Sequence, residues 1–478
     1  MNPQAISTSR FLVGGEWRAS SRTKPVVNPY DNKTVGEVYQ ASPKDIEEAI
    51  ASAASTFHIT RQLPSYERAA ALSFVANQIE RRKVDFSRLI TRETGKPISF
   101  SRAEVERAIL TFTLASEEAK RIEGSVLPFD LAEHSRGRFG MVRRFPIGPI
   151  GAITPFNFPI NLVAHKVGPA IASGNTVVLK PSSNAPLTAL LLAEVIYGST
   201  LPKGAFNVIP CSADEAEQLV VDERIKLLSF TGSPQVGWGL KARAGKKRVV
   251  LELGGNAGVI VDDDANMEYA LKRIAQGAYG NAGQSCIAVQ RVYVRDKVYR
   301  AFSEKFLEQT RAIVCGDPMR EATVVGPMIS EEAAAKVEAW IREAVDEGAR
   351  LLCGGKRSGS MFEPTILVDV KPDMKVSCQE VFAPVVTLDK FADFKEAVAL
   401  VNHSPYGLQA GVFTNDIRNV FYAYESLDVG GVIINDFPTY RIDHMPYGGV
   451  KDSGFGREGV RYTIEEMTEL KLLAFNFP

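Results

Sequence analysis

Two residue types that build metal sites and disulfide frameworks are scarce in this 478-residue chain. The five cysteines and five histidines are Cys211, Cys286, Cys315, Cys353, Cys378, His58, His134, His165, His403 and His444. No two cysteines lie within four residues of each other, so neither a disulfide framework nor a CxxC metal site is expected. The histidines are widely separated and no HExxH spacing occurs. The sequence therefore predicts no bound metal.

An excess of charge and a long apolar run are also missing. The 56 basic residues balance the 56 acidic ones, which argues against a general nucleic-acid or membrane-surface binder. The most apolar stretch, Ala185 to Gly198, is too short to span a bilayer and contains Glu194. Met1 to Arg10 is polar, so no cleaved signal peptide is expected. These features predict a cytoplasmic protein from a reducing compartment, with a small molecule rather than a nucleic acid or a membrane as its partner.

Short apolar strands begin at residue 150, and the length suggests about three domains. The runs rich in β-branched residues are Ile150–Thr154, Thr176–Leu179, Leu227–Phe230, Val249–Leu253 and Val259–Val261. Helix-length segments such as Pro186–Tyr197 and Ala213–Val221 lie between them. Strands alternating with helices predict a parallel sheet that is covered on both faces. A second set of strand and helix signals follows Cys286, which places a boundary between two α/β domains near Ala257–Val261.

Other segments lie outside this alternating pattern. Ser42 and Pro43 are typical of a helix start, and helical patterns continue through Ser65–Arg82 and Ser101–Gly124. Arg136–Phe145 is basic and alternating, which predicts a hairpin that leaves the main sheet. Its candidate partner is the C-terminal segment Leu470–Phe477.

Polar residues follow the predicted strands at places where ligands bind in doubly wound sheets. Asn157 stands between two prolines in the turn after the first strand, and a fixed amide there suits an oxyanion hole; the alternative is an Asx turn. Lys180 ends the next strand and is placed to meet a ribose or phosphate, although a solvated lysine is equally consistent. Gly232 and Ser233 open a helix whose N-terminus is a candidate pyrophosphate site. This turn matches neither GxGxxG nor GxxxxGK, so it is weak evidence by itself.

Two further residues are candidates for covalent chemistry. Glu252 ends an apolar strand, so it is either one half of a structural ion pair or a proton-transfer group with a raised pKa. Cys286 follows a small, flexible Gly280–Ser285 segment. It is either an inert buried cysteine or a nucleophile toward a carbonyl. No histidine is near it in sequence, so Glu252 acting through water is the candidate activator.

Taken together, these motifs resemble the NAD(P)-dependent aldehyde dehydrogenase superfamily over essentially the whole chain. The matching segments are PFNFP at 155–159, VVLKPS at 177–182, FTGS at 230–233, LELGGN at 251–256, GQSC at 283–286, QEVFAPV at 379–385 and MPYGGVKDSGFGREG at 445–459. The finer resemblance is to the branch of lactaldehyde, non-phosphorylating glyceraldehyde-3-phosphate and phosphonoacetaldehyde dehydrogenases. Its carriers are residues 104–108 and 440–447.

The resemblance implies a role for each matching position. Cys286 would form a thiohemiacetal with the aldehyde, Asn157 and the Cys286 N–H would hold the oxyanion, and Glu252 would activate the hydrolytic water. Glu458 matches an acidic position that some members use for proton relay. The cofactor, NAD or NADP, would be bound by Thr154, Pro155, Phe156, Lys180, Ser182, Ser183, Gly232, Ser233, Glu380 and Phe382.

Departures from the family pattern bear on specificity. Many NAD-preferring relatives carry Glu at the position of Ser183, where an acid would repel a 2′-phosphate, so we expect NADP to be accepted. Phe158, Arg107 and Arg441 are the predicted substrate contacts. Two arginines suit a small anionic or hydroxylated aldehyde; the alternative for each is a structural salt bridge. Some relatives have a further Arg immediately before the nucleophile, where this chain has Ser285.

The resemblance also implies the division of the chain. Residues 1–123 and 147–256 would form the dinucleotide-binding domain, residues 257–452 an α/β catalytic domain, and residues 124–146 and 465–478 a small β arm. Such an arm predicts a homodimer or homotetramer. The competing function is a CoA-acylating semialdehyde dehydrogenase, in which thiolysis releases the product and a hydrolytic base such as Glu252 is superfluous.

Overall fold

The computed structural model describes residues 8–477, so most of the Met1–Arg10 segment lies outside the described residues. Eight strands form the first large sheet, in the spatial order Gly454–Phe455, Arg248–Glu252, Leu227–Thr231, Ile150–Ile153, Val177–Lys180, Phe206–Val208, Phe11–Val13 and Glu16–Arg18. The five strands from Arg248–Glu252 to Phe206–Val208 are parallel. Numbered by their own chain order, they run 5-4-1-2-3 in this direction across the sheet. This order reverses direction between Ile150–Ile153 and Leu227–Thr231, and ligands of doubly wound sheets bind at such a switch point.

A second sheet of seven strands follows the first along the chain. Its spatial order is Arg350–Cys353, Thr365–Val368, Val385–Phe391, Val289–Arg295, Ala257–Val261, Gln409–Phe413 and Gly431–Ile434. All neighbours in it are parallel except the first pair, which is antiparallel. The chain passes from one large sheet to the other within residues 253–256. The expected α/β fold with parallel sheets is therefore confirmed.

The remaining strands form small sheets. A three-stranded antiparallel sheet consists of Thr468–Asn476, Arg138–Pro146 and Ser125–Pro128. The predicted pairing of Arg136–Phe145 with the C-terminal segment is thus confirmed. The other small sheets consist of Thr8–Ser9, Thr34–Tyr39 and Thr23–Val27; of Arg357–Ser358 and Met361–Phe362; and of Tyr406–Gly407 and Val450–Lys451.

Helices connect the strands of both large sheets. The α-helices are Pro43–Thr60, Ser65–Arg81, Lys83–Thr94, Ile98–Glu118, Asn161–Ser173, Pro186–Tyr197, Glu217–Val221, Pro234–Arg243, Met267–Tyr279, Asp296–Arg311, Glu331–Asp346, Lys375–Cys378, Phe394–Asn402, Ile417–Ser426 and Val460–Glu466. Short 3₁₀ turns occupy Glu133–Ser135 and Gly280–Gly283. Ser42 caps the first helix in a capping box with Asp45, as its sequence predicts.

Two helix predictions need correction, and one helix was not predicted. The helix expected over Ala213–Val221 forms only over Glu217–Val221, since the preceding residues make turns. The helix expected over Ser101–Gly124 runs from Ile98, directly after Pro97, to Glu118. Lys83–Thr94 is a separate helix that the sequence reasoning missed, because it follows the preceding helix after only Arg82, whose backbone φ and ψ of −107° and 17° break the axis.

Candidate active site

Cys286 lies in a tightly constrained loop between the Gly280–Gly283 turn and the strand Val289–Arg295. Asn281 and Ala282 both have a φ of 54°, in the left-handed region that non-glycine residues rarely adopt. A Cβ on Gly255, in the crossing between the two sheets, would lie 2.0 Å from the Cys286 carbonyl oxygen. Gly255 is therefore required by close backbone approach to the cysteine, whereas a Cβ on Gly254 would lie 2.5 Å from the Glu380 carboxylate.

The Cys286 side chain faces four polar groups. Its Sγ lies 3.1 Å from the Tyr447 hydroxyl. Burial raises the pKa of the thiol to about 12, the Glu380 and Glu252 carboxylates push it in the same direction, and Tyr447 and Arg441 oppose the rise. The thiol is therefore protonated at neutral pH in this state, and a nucleophilic thiolate has to be stabilised by its surroundings.

Asn157 lies against the cysteine loop. Its Nδ2 donates to the Gln284 carbonyl at 3.2 Å, and the side chain is buried in the turn that follows the strand Ile150–Ile153. The turn is fixed by the prolines on each side of it, as the sequence predicts. An amide donor held beside a thiol is the arrangement that stabilises an oxyanion in acyl transfer.

Glu252 is a buried carboxylate whose two oxygens have no hydrogen-bond partner among the described residues. Burial raises its pKa well above the ordinary value, and the nearby charge of Glu458 raises it further, against the opposing charges of Arg441 and Lys166. The sequence allows two interpretations of Glu252, as half of an ion pair or as a proton-transfer group. Among the described residues, Glu252 forms no ion pair. A carboxyl with a raised pKa is suited to taking a proton near neutral pH.

Glu458 is held differently from Glu252. Its carboxylate accepts from Lys166 Nζ at 2.8 Å and from the Arg441 guanidinium at 3.3 Å. Burial opposes ionisation, but these two cations overcome it and lower the pKa of Glu458. The Arg441 guanidinium also lies 3.6 Å from the centre of the Tyr447 ring. Glu458 is thus a fixed negative charge in the site.

Arg107 makes a two-pronged ion pair with Asp443, with nitrogen–oxygen distances of 2.7 and 3.3 Å. Asp443 also contacts His165 Nε2 at 2.8 Å and Asn161 Nδ2 at 3.3 Å. Burial lowers the pKa of His165, so its ring is neutral at pH 7. Both predicted substrate arginines are therefore engaged by carboxylates, as the salt-bridge alternative expects, and 29% of the Arg107 side chain remains exposed.

The predicted cofactor residues at the switch point come together. Thr154, Pro155 and Phe156 follow the strand Ile150–Ile153, and Gly232 follows the neighbouring strand Leu227–Thr231. The Gly232 N–H donates to the Glu252 carbonyl at 3.0 Å. Ser233 is the N-cap residue of Pro234–Arg243, and its side chain makes no capping hydrogen bond.

A second group of predicted cofactor residues lies at the end of the strand Val177–Lys180. Lys180 is 8% exposed, and burial lowers the pKa of its ammonium, with the nearby positive charge of Lys24 contributing in the same direction. Ser182 and Ser183 line a small cavity together with Lys24 and Gln40. None of the residues lining this cavity is acidic. Lys24, delivered by the strand Thr23–Val27, was missed by the sequence reasoning because no motif marks it.

Glu380 and Phe382 lie on the opposite side of the crevice. Glu380 accepts the Gly255 N–H at 3.0 Å, and burial raises its pKa to about 7. The Phe382 ring meets the Phe156 ring edge to face, with centroids 6.1 Å apart. The Lys96 ammonium lies 3.9 Å from the centre of the Phe158 ring. Phe158, a predicted substrate contact, thus packs on a buried lysine.

A dinucleotide fits these residues. The switch point provides a helix N-terminus after Gly232, Lys180 provides a cation, and Glu380 provides an acceptor for a ribose hydroxyl. Among residues 8–477, no group of His, Cys, Asp and Glu side chains could hold a metal ion. Within the same range, no helix is both long and apolar enough to cross a membrane.

The fold and the crevice define a dinucleotide-binding α/β protein with a cysteine beside its cofactor residues. The family model described as the aldehyde dehydrogenase family matches residues 17–473. The chain belongs to this family, and it is an NAD(P)-dependent aldehyde dehydrogenase.

Relatives place it within the family. It is 45% identical over 467 residues to a 3-sulfolactaldehyde dehydrogenase from Priestia aryabhattai, with 98% of each chain covered. Aldehyde dehydrogenase 21 from Physcomitrella patens, solved with the reaction product succinate, has a TM-score of 0.97 and 45% identity, with 98% of each chain covered. The glyceraldehyde-3-phosphate dehydrogenase GapN from Methanocaldococcus jannaschii, complexed with NADP, has a TM-score of 0.91 and 39% identity, with 96% of this chain and 100% of that chain covered. The predicted resemblance, including its branch, is confirmed.

Proposed function

We propose that the protein oxidises a small aldehyde carrying an anionic group to the carboxylate, with Cys286 as nucleophile, Asn157 as oxyanion donor and Glu252 as hydrolytic base. The observation that supports the substrate class is the cluster of Arg107, Arg441 and Lys166 around the two carboxylates of Asp443 and Glu458. The observation that supports the catalytic roles is the convergence of an amide, a thiol and an unpartnered carboxyl around one loop.

The proposed reaction has two halves. The Cys286 thiolate adds to the aldehyde carbon, and the resulting alkoxide is stabilised by the Asn157 amide and the Cys286 N–H. The dinucleotide, which Lys180, Gly232 and Glu380 would hold, would supply the hydride acceptor needed to oxidise the thiohemiacetal to a thioester. Glu252 then takes a proton from water, whose oxygen attacks the thioester carbon. Collapse of this adduct expels the Cys286 thiolate and leaves the product acid.

The ion pairs around the arginines leave an excess of positive charge. While Glu252 is protonated, Arg107, Arg441 and Lys166 bear three positive charges, and Asp443 and Glu458 bear two negative charges. The nearby His165 is neutral because burial lowers its pKa. One anionic substrate group would balance this cluster. The names of the relatives fit the same chemistry, since sulfolactaldehyde, succinate and glyceraldehyde 3-phosphate each bear an anionic group.

A matched aldehyde panel tests this proposal. We expect kcat/KM for succinic semialdehyde and 3-sulfolactaldehyde to exceed that for butanal and lactaldehyde, their counterparts without the anionic group. Arg107→Ala should raise KM for the anionic aldehydes about tenfold or more and leave butanal unchanged, because a hydrogen-bonded charge pair is lost. Arg102→Ala, on the same helix, is the control. Equal KM values for Arg107→Ala and wild type would contradict the assignment.

The fate of the thioester separates this function from the CoA-acylating alternative. We expect the free acid as product whether or not CoA is added, since Glu252 is placed to activate water. Accumulation of acyl-CoA at the expense of the free acid would support thiolysis instead.

We also propose that NADP is the preferred cofactor. The cavity beyond Lys180 is lined by Lys24, Ser182 and Ser183 and has no acidic lining residue. A 2′-phosphate would find cations and hydroxyls there, and no carboxylate to repel it.

A further proposal concerns assembly. The three-stranded sheet Ser125–Pro128, Arg138–Pro146 and Thr468–Asn476, which we call the arm, exposes large apolar side chains. Val126, Leu470, Leu472 and Leu473 are 67%, 64%, 53% and 55% exposed. Apolar patches of this kind mark protein–protein contacts, so we propose that the arm binds a second copy of the chain in a homodimer or homotetramer.

A further inference from the structure

Tyr447 contacts the reacting sulfur. It lies in the loop before Gly448 and is held by two backbone hydrogen bonds with Glu458, in which each residue's N–H donates to the other's carbonyl. The side chain is 3% exposed, and its hydroxyl is 3.1 Å from Cys286 Sγ. It belongs to the family-like segment 445–459, and the sequence predicts no role for it.

The Tyr447 ring is also fixed on its face. The Arg441 guanidinium lies 3.6 Å from the ring centre, in cation–π contact. Burial and the neighbouring thiol raise the pKa of the Tyr447 phenol, so the hydroxyl keeps its proton throughout the working pH range. A protonated phenol beside a sulfur that becomes negatively charged is a hydrogen-bond donor to that sulfur.

We propose that Tyr447 is a catalytic residue whose hydroxyl donates a hydrogen bond to the Cys286 thiolate and so stabilises the nucleophile before it attacks the aldehyde. The proposal rests on the proposed role of Cys286. No covalent bond forms or breaks at Tyr447: the thiol proton leaves to solvent or to a nearby base, and the phenol keeps its own proton.

The charges around Cys286 show why such a donor is needed. The Glu380 and Glu252 carboxylates both disfavour a thiolate. Arg441 favours it, but this cation is shared with Glu458 and with the Tyr447 ring. Among the described residues, the Tyr447 hydroxyl is the hydrogen-bond partner found at Sγ. Hydrogen bonds to a charged acceptor are about twice as strong as those between neutral groups, so the contact strengthens when the thiol ionises.

Tyr447→Phe removes the hydroxyl and keeps the ring under Arg441. The experiment measures the rate at which iodoacetamide alkylates Cys286 as a function of pH, followed by peptide mass spectrometry without cofactor. We expect the apparent pKa of Cys286 to rise by about one unit and alkylation at pH 7 to slow about tenfold, because a hydrogen bond to the charged form is lost. The value of kcat/KM should fall in parallel.

Two references isolate the effect. The exposed Cys315 in the same sample should react at the same rate in variant and wild type. Tyr424→Phe, on an exposed helix face, should leave Cys286 alkylation unchanged. Should Tyr447→Phe fold poorly by circular dichroism, 3-fluorotyrosine at position 447 gives the opposite test: its more acidic phenol should lower the apparent pKa of Cys286.

The sign of the shift decides the outcome. An unchanged apparent pKa in Tyr447→Phe would limit Tyr447 to packing and overturn the proposal. A lowered value would mean that the tyrosine accepts from the neutral thiol, which also overturns it. The proposed role of Cys286 fails separately, if Cys286→Ala retains aldehyde oxidation.

Discussion

At the scale of single residues, two neighbouring glutamates are kept in opposite protonation states. Lys166 and Arg441 bind Glu458 directly, so its carboxylate is ionised and its pKa is lowered despite burial. Glu252 has no such partner, and burial together with the charge of Glu458 raises its pKa. Environments that separate the pKa values of two carboxyls assign them different tasks. This difference supports the proposal that Glu458 is a fixed charge and that Glu252 is the group that exchanges a proton.

Glu252→Gln tests the hydrolytic role. Glutamine cannot take a proton from water, so the first turnover should still release about one equivalent of NAD(P)H per active site, and later turnovers should slow about 10²–10⁴-fold. Stopped-flow absorbance separates the burst from the steady state. Glu268→Gln, at an exposed position, should behave as wild type. A variant with undiminished steady-state turnover would remove Glu252 from the mechanism.

The hydrolytic role of Glu252 also predicts a pH dependence of the steady-state rate. Only the ionised form of Glu252 accepts a proton, and its raised pKa moves ionisation to higher pH. When hydrolysis limits turnover, the wild-type steady-state rate should therefore rise with pH, and this rise should lie above the pH range in which an ordinary glutamate ionises. The residual rate of Glu252→Gln should lack this rise.

The sequence identified candidates at this scale where the residue type itself carries chemistry. Asn157, Glu252 and Cys286 stand at strand ends or in turns, and the resemblance joined them into one proposed reaction. It could not show that Arg107 meets Asp443 or that Arg441 lies on the Tyr447 ring, because these partners are far apart in sequence or depend on side-chain direction.

At the scale of elements, strands were predicted better than helix ends. The segment Val177–Lys180 is a continuous apolar run bounded by polar residues, so its type and extent follow from the sequence. Helix bounds depend on backbone angles at single residues, and the break at Arg82 leaves no pattern in the residue types. The strand Thr23–Val27 shows a second limit, since it brings Lys24 to a cavity that is also lined by Ser182 and Ser183, more than 150 positions away.

This strand provides a test of cofactor preference. Lys24→Ala should lower kcat/KM with NADP about tenfold and leave NAD unchanged, because only NADP places a phosphate near the lost ammonium. Ser183→Glu should also shift the cofactor preference toward NAD, because its carboxylate would repel the 2′-phosphate of NADP. Lys33→Ala, an exposed lysine on the neighbouring turn, is the matched control. A wild-type enzyme with a large preference for NAD would contradict the proposal.

At the scale of the whole molecule, the arm exposes large apolar side chains that a single chain leaves uncovered. Its strand Thr468–Asn476 pairs with Arg138–Pro146 on one side, and its leucines remain exposed. The pairing of these two segments was predictable from their alternating pattern. The surface that covers the leucines was not predictable, because it depends on atoms outside one chain.

Leu472→Asp tests the proposed assembly. A buried, unpaired carboxylate is strongly disfavoured at an interface, so the variant should dissociate to a single chain. Light scattering after size-exclusion chromatography gives the mass. Val345→Asp introduces the same charge at an exposed apolar position on the helix Glu331–Asp346, outside the arm, and should retain the wild-type mass. A wild-type protein that is already monomeric would overturn the proposal.

The contact between Gly255 and the Cys286 carbonyl has a mechanical consequence. Residues 253–256, which join the two large sheets, pack against the loop that carries Cys286. At Gly255 this contact leaves room for a hydrogen atom but not for a Cβ atom. Any sliding of one sheet against the other must therefore carry the cysteine with it. Main-chain atoms therefore set the distance between the sulfur and the cofactor crevice. The side chains around the site can differ according to the aldehyde while the distance required for hydride transfer is kept.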